Sequence, residues 1–190
     1  MFLRMMRPAI SLLAVMTVLL GLLYPLVITG IARTVFPQAA AGSLLVKDGR
    51  VIGSALIGQD FTDPAYFWGR PSATAPGPYN ALASSGSNLG PLNPALIEAV
   101  KAHAKALQDA DPGNMQAVPV ELVTASASGL DPEISPAAAR YQLQRVARAR
   151  GIAPERLEAL IKANEQGRLL GLFGEPRVNV LGLNLALAVD

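Results

Sequence analysis

From Pro8 to Ala32 the chain runs for 25 residues without a charged side chain, in a protein of 190 residues. As a helix this run would be about 37 Å long at ~1.5 Å per residue, against a bilayer hydrocarbon core of ~30 Å. Thirteen of its residues are Leu, Ile or Val. Each favours insertion by roughly 0.3–0.6 kcal/mol at central positions, and no central charge opposes them. One transmembrane helix over 8–32 is expected, preceded by a short segment, 1–7, and followed by a linker over 33–42. A cleaved signal peptide is the rival reading, because Ala39-Ala40-Ala41 resembles a small-residue cleavage site. Secretory hydrophobic cores span only ~7–15 residues, which favours a retained anchor.

The flanking charges orient the span. Arg4 and Arg7 precede it, Arg33 alone follows, and the next charge is Lys47. The basic excess assigns residues 1–7 to the cytoplasm and 43–190 to the extracytoplasmic side of an inner membrane. Ala14, Thr17, Gly21, Pro25, Thr29 and Ala32 recur at steps of three or four, so a helix carries them on one face. Small residues there admit a second helix at close range, which makes this stripe a candidate partner contact. Pro25 lacks a donor and presses on the Gly21 carbonyl, so a kink near Tyr24 is expected.

Beyond Arg33 there are 13 basic and 14 acidic residues. Such a balance argues against nucleic acid, which favours a concentrated basic surface. The chain has no cysteine and a single histidine, His103. Disulfides, cysteine nucleophiles and Cys/His zinc sites are excluded on composition, and no metal site is expected.

Residues 43–59 read as a hairpin, with Leu44–Val46 and Val51–Ile57 as strands and Asp48-Gly49 as the turn. A long stretch rich in Pro and Gly follows, reaching Pro94 and containing Tyr66-Phe67-Trp68-Gly69-Arg70-Pro71-Ser72. Structureless segments of that length are uncommon in compact domains and often functional. A helix is expected from an Asn93 cap with Pro94 at its first position to about Ala110. Val118–Thr124 suggests an edge strand. Ser135-Pro136 opens a second helix ending at Gly151, a third spans Pro154–Gln166 with Gly167 as its stop, and Val178–Leu187 reads as a last strand. Strands and helices without regular βαβ alternation indicate an α+β domain.

Chemistry is sparse. There is no Gly-Lys-Ser/Thr phosphate loop and no Gly-x-Ser-x-Gly elbow. His103 falls away from the main apolar stripe of its helix, as a surface residue would. Asp60 with Asp63, and Asp131 with Glu133, are candidate carboxylate pairs, but turn formation and a helix N-terminus account for them better. Arg140, Arg145, Arg148 and Arg150 share one helix with no acidic residue among them. A solvated basic face is the ordinary explanation, and contact with an acidic partner or membrane lipid headgroups the alternative. Ser84, Ser85, Gly86, Ser87 and Asn88 offer hydroxyl and backbone donors suited to an anion or nucleotide. A Ser/Gly turn has the same composition.

Six ordered blocks give the chain a recognisable pattern: Tyr24-Pro25-Leu26-Val27-Ile28-Thr29-Gly30, Gly53-Ser54 to Ile57-Gly58-Gln59, Tyr66 to Ala73, Ser84 to Pro91, Ser126 to Pro136, and Gly174-Glu175-Pro176-Arg177-Val178-Asn179-Val180-Leu181. Together they resemble the KdpC family, the C subunit of the bacterial high-affinity potassium-transporting P-type ATPase. Ser85 departs from the pattern, which usually has glycine there. The resemblance implies a non-catalytic accessory subunit that assembles with a channel-like A subunit and an ATP-hydrolysing B subunit. It also implies a catalytic chaperone that raises the ATP affinity of the B subunit. ATP and potassium would then be handled by the complex, and no cofactor is expected on this chain. An extracytoplasmic domain cannot touch cytoplasmic ATP, so any influence would pass through the assembly; a stabilising or gating role near the potassium entrance fits better. Arg70, within the Tyr66–Ala73 block, is a further candidate partner contact. The alternative is an anchored exported binding or hydrolytic domain acting alone.

Overall fold

A computed structural model describes residues 2–188, which divide into two compact units, one ending at Ile52 and one beginning at Gly53. In the first, α1 (Phe2–Val18) passes through a π-helical turn (Leu19–Leu23) into α2 (Tyr24–Val35). Met6–Val35 is long and apolar enough to cross a membrane, with a mean hydropathy of 2.4. In the π-turn the Tyr24 N–H donates to the Leu19 carbonyl, five residues back. The wider turn lies immediately before Pro25, whose ring would otherwise crowd the carbonyl four residues earlier. A short helix, α3 (Pro37–Ala40), lies in the segment expected as linker. β1 (Leu44–Lys47) and β2 (Arg50–Ser54) pair as a hairpin, its second strand ending at Ser54 rather than at the expected Ile57. Its two turn residues, Asp48 and Gly49, have φ of 51° and 75°, the left-handed values that a two-residue hairpin turn requires.

The second unit is α+β. α4 (Pro94–Ala110) begins where Asn93 Oδ1 accepts the Ala95 N–H at 3.0 Å, with Pro94 in the first turn. α5 (Pro136–Arg150) is capped by Ser135 Oγ on the Ala138 N–H at 3.1 Å and ends at left-handed Gly151. β3 (Glu133–Ile134), β4 (Glu165–Gln166) and β5 (Arg177–Asn179) form an antiparallel sheet in the order β3-β5-β4. Glu133 lies opposite Asn179, and Glu165 opposite Val178. Ile134, Val146, Leu157, Ile161, Val178, Leu183 and Leu187 form the middle of the core.

Three expectations need correction. Val118–Thr124 is not a strand: Val120–Leu122 is one turn of 3-10 helix, its Leu122 N–H bonded to the Pro119 carbonyl at 3.0 Å. The third helix, α6 (Pro154–Ala163), stops before Gln166, because Glu165 and Gln166 pair with β5. The terminal segment is a strand only through Asn179 and then α7 (Val180–Leu187). Asn179 Oδ1 accepts the Gly182 N–H at 2.8 Å, an N-cap that starts a helix. Buried Val180, Leu183, Asn184 and Leu187 recur with helical rather than strand spacing.

Candidate functional site

The aromatic block Tyr66-Phe67-Trp68 crosses the domain as an extended strap without a partner strand. Two buried side-chain amides replace one. Asn184 accepts from the Phe67 N–H and donates to the Phe67 carbonyl, both at 2.9 Å. Gln142 does the same for Trp68, at 2.8 Å and 3.0 Å. Phe67, fully buried, is thereby fixed in the core.

Two arginines of α5 hold the strap's outer rings. The Arg145 guanidinium lies 4.3 Å from the Trp68 ring centroid, and that of Arg150 lies 4.5 Å from Tyr66. Arg145 donates to the Pro64 carbonyl and to Gln142 Oε1, each at 2.6 Å, and Arg150 to the Ala65 carbonyl at 2.6 Å. Burial pulls the Arg145 pKa down to about 10 against the opposing pull of Asp111, Asp63 and Tyr141, so it stays charged at neutral pH. Arg148 pairs with buried Asp111, and Arg140 with Glu158 and Glu165. The expected solvated basic face is corrected for Arg145, which is buried, and for Arg150, which is half-buried, while Arg140 and Arg148 stay exposed; all four arginines bond within the domain. Each contacts a residue far away in sequence, so helix periodicity alone does not reveal them.

Beside the strap, a groove of about 490 Å³ is lined by Trp68, Arg70, Ser72, Tyr79, His103 and Leu107, among others. Arg70 donates to Asp131 Oδ2 at 3.1 Å and to the Ala125 carbonyl at 3.4 Å. Tyr79 donates its hydroxyl to the Arg70 carbonyl at 2.6 Å. Burial, reinforced by Asp60 and Asp131 and opposed by Arg70, pushes the Tyr79 pKa up to about 12. Ser72 Oγ donates to the Gly129 carbonyl at 2.7 Å and accepts the Tyr79 N–H at 2.9 Å. Thr74 Oγ1 donates to the Gly77 carbonyl at 2.6 Å and accepts the Asn80 N–H at 3.0 Å. The Pro/Gly-rich stretch is thus a fixed structure tied by short polar side chains. Ser72, Tyr79, Gln142 and Asn184 were not singled out by sequence reasoning; for Ser72 and Tyr79, the only signal was their place in the unusual loop.

The other candidates disperse. Ser84 Oγ and the Ser85 N–H both bond the Ser128 carbonyl, at 3.0 Å and 2.9 Å, and Ser85 Oγ bonds the Gly86 carbonyl at 3.1 Å. A Cβ at Gly86 would lie 2.8 Å from the Ala127 carbonyl oxygen, so glycine permits this close backbone approach. Ser87 and Asn88 are exposed beyond it. Asp63 Oδ1 accepts the Ala65 N–H at 2.8 Å in a turn, while Asp131 and Glu133 pair with Arg70 and Arg177. His103 is exposed. Among the described residues no cluster of His, Asp or Glu is arranged to hold a metal ion. Ala14, Thr17, Gly21, Pro25 and Thr29 are exposed along the first unit's helix, and Ala32 is partly so.

The profile of a family described as "K+-transporting ATPase, c chain" matches residues 6–189, nearly the whole chain. The chain belongs to the KdpC family. A protein of Variovorax paradoxus named "Potassium-transporting ATPase KdpC subunit" is 65% identical over 181 residues, covering 95% of this chain and 94% of its own. A protein of the same name from Dechloromonas aromatica is 60% identical over 183 residues, covering 96% of each. Another from Sorangium cellulosum is 62% identical over 182 residues, again 96% of each. The strap, the Arg70 hub and the Ser84–Asn88 loop all lie within the stretch that defines this family.

Proposed function

We propose that the chain is a non-catalytic accessory subunit of an ATP-driven, high-affinity potassium-uptake complex. It is held in the inner membrane by its N-terminal helix, with the mixed domain outside the cytoplasm. Its partners are a channel-like potassium-conducting subunit and a P-type ATPase subunit, and its presence raises the ATP affinity of the latter. The action is indirect, because an extracytoplasmic domain and cytoplasmic ATP never meet.

The observation that carries this reading is how the domain uses its polar side chains. The α5 arginines, Gln142, Asn184, Ser72, Thr74 and Ser84 all bond within the domain. Such a domain is a rigid body suited to bracing a larger assembly, and the Ser/Gly loop has its first residues committed to backbone contacts with residue 128.

Purification of the tagged chain from membranes should recover two larger membrane proteins and potassium-stimulated ATPase activity, and a solitary chain would refute the accessory role. A complex lacking this chain should hydrolyse ATP with a raised KM. A Ser87→Ala/Asn88→Ala variant should leave that KM unchanged; a raised KM would restore direct nucleotide contact. Protease added to intact spheroplasts should cleave the mixed domain, and protection would reverse the orientation.

A further inference from the structure

Between β4 and β5 the segment Arg168-Leu169-Leu170-Gly171-Leu172-Phe173-Gly174-Glu175 folds back on itself. The Leu169 N–H donates to the Phe173 carbonyl at 2.9 Å, and the Phe173 N–H to the Leu169 carbonyl at 3.0 Å. Gly171 and Leu172 donate to the carbonyls of Arg168 and Leu169, each at 3.1 Å. While the backbone is turned on itself, the side chains are not covered. Leu169, Leu170, Leu172 and Phe173 are 68%, 81%, 77% and 63% exposed. Four adjacent large apolar side chains presented to water are opposed by the hydrophobic effect, and such a patch marks an interaction site.

We infer that this tip seats in the interfacial layer of the bilayer that the chain's own N-terminal helix spans. An apolar phase accepts backbone only where its polar groups are already bonded, and the closed turn meets that condition at four of its N–H groups. No charged side chain lies between Arg168 and Glu175, which pair with each other at 2.7 Å at the neck of the turn. That pair sets a depth beyond which the tip does not sink, as charged flanks do for interfacial segments. The tether supplies the occupant. Seventeen residues, 36–52, separate the end of the membrane helix from the start of the second unit at Gly53, which even fully extended reach only about 60 Å. A bilayer is therefore permanently at hand, and a short tether gives it an effective concentration in the millimolar range, where weak insertion suffices. The inference rests on the helix being a membrane anchor, but not on which side the domain lies.

The absence of native cysteine allows a single probe. Full-length Leu170→Cys, labelled with an environment-sensitive fluorophore, is placed in nanodiscs of phosphatidylethanolamine and phosphatidylglycerol, with or without lipids bearing a nitroxide high on the acyl chain. Leu82→Cys, at a position 98% exposed, is the reference. At a depth of ~5–10 Å the tip probe should be blue-shifted and quenched roughly twofold by the nitroxide, with the reference unchanged. Emission matching the reference overturns the inference. A blue shift without quenching also overturns it, since a protein surface then covers the tip. Failure of the chain to co-elute with the disc refutes the anchor itself, a result distinct from a retained chain with an unquenched tip.

Discussion

Replacing Gln142 by Leu removes the amide that stands in for a neighbouring strand. Three groups lose their partner: the Trp68 N–H, the Trp68 carbonyl, and the Arg145 Nη2 that donates to Gln142 Oε1. An unpaired buried polar group costs about 1–3 kcal/mol. Trp68 is only partly buried, so the low end of that range applies, giving a total of about 3–5 kcal/mol. The added apolar burial of Leu returns about 1 kcal/mol, leaving a net loss of about 2–4 kcal/mol. For a chain of this size each kcal/mol lowers Tm by about 2–4 °C, so a fall of about 4–16 °C is expected. Trp68 is the only tryptophan, and its emission during thermal unfolding of the full-length protein in detergent reports on the strap directly. Gln144→Leu, on the exposed side of the same helix, should stay within about 0.5 kcal/mol of the parent. If Gln142→Leu melts within about 2 °C of the parent with unchanged Trp68 emission, the amide is not what holds the strap.

Gly86→Ala should destabilise the domain by about 1–3 kcal/mol in urea unfolding, because the new methyl meets the Ala127 carbonyl; Gly90→Ala, with nothing within 4 Å, should be neutral. Tyr79 should be the last phenol to ionise when absorbance at 295 nm is followed, and Tyr79→Phe should delete that late phase. Since its folded pKa of about 12 lies above the model-compound value of 10.0, its stabilising contribution is complete below about pH 10 and is lost as the pH rises through 12. Gly21→Leu, which enlarges the small-residue face of the membrane helix, should reduce recovery of co-purifying membrane proteins; undiminished recovery would remove that face as a docking surface.

What the sequence settled by itself lies within a few residues of each signal. The uncharged run from Pro8 acts through the summed transfer of consecutive apolar side chains, and the Asp48-Gly49 turn, the Asn93 and Ser135 caps and the Gly151 stop act through hydrogen bonds and sterics spanning no more than five positions. Family membership was legible for a related reason, since ordered blocks survive as local strings. The α5 arginines show the limit. Their spacing matches that of a solvated face, and only folding brings Trp68 to Gln142, 74 residues away, and Arg145 to Pro64, 81 away. Asn184 likewise looks like a polar interruption in a strand until Phe67, 117 residues earlier, arrives beside it. The candidate site divides in the same way. The Ser84–Asn88 composition suits an anion, yet it took the approach of residues 127–129 to commit Ser84 and Ser85 to backbone carbonyls. A side chain's neighbours in sequence fix its available rotamers and caps, whereas the partner that satisfies a buried charge or amide is chosen by tertiary packing. Whether a polar residue faces solvent or braces the core was therefore decided by the fold alone.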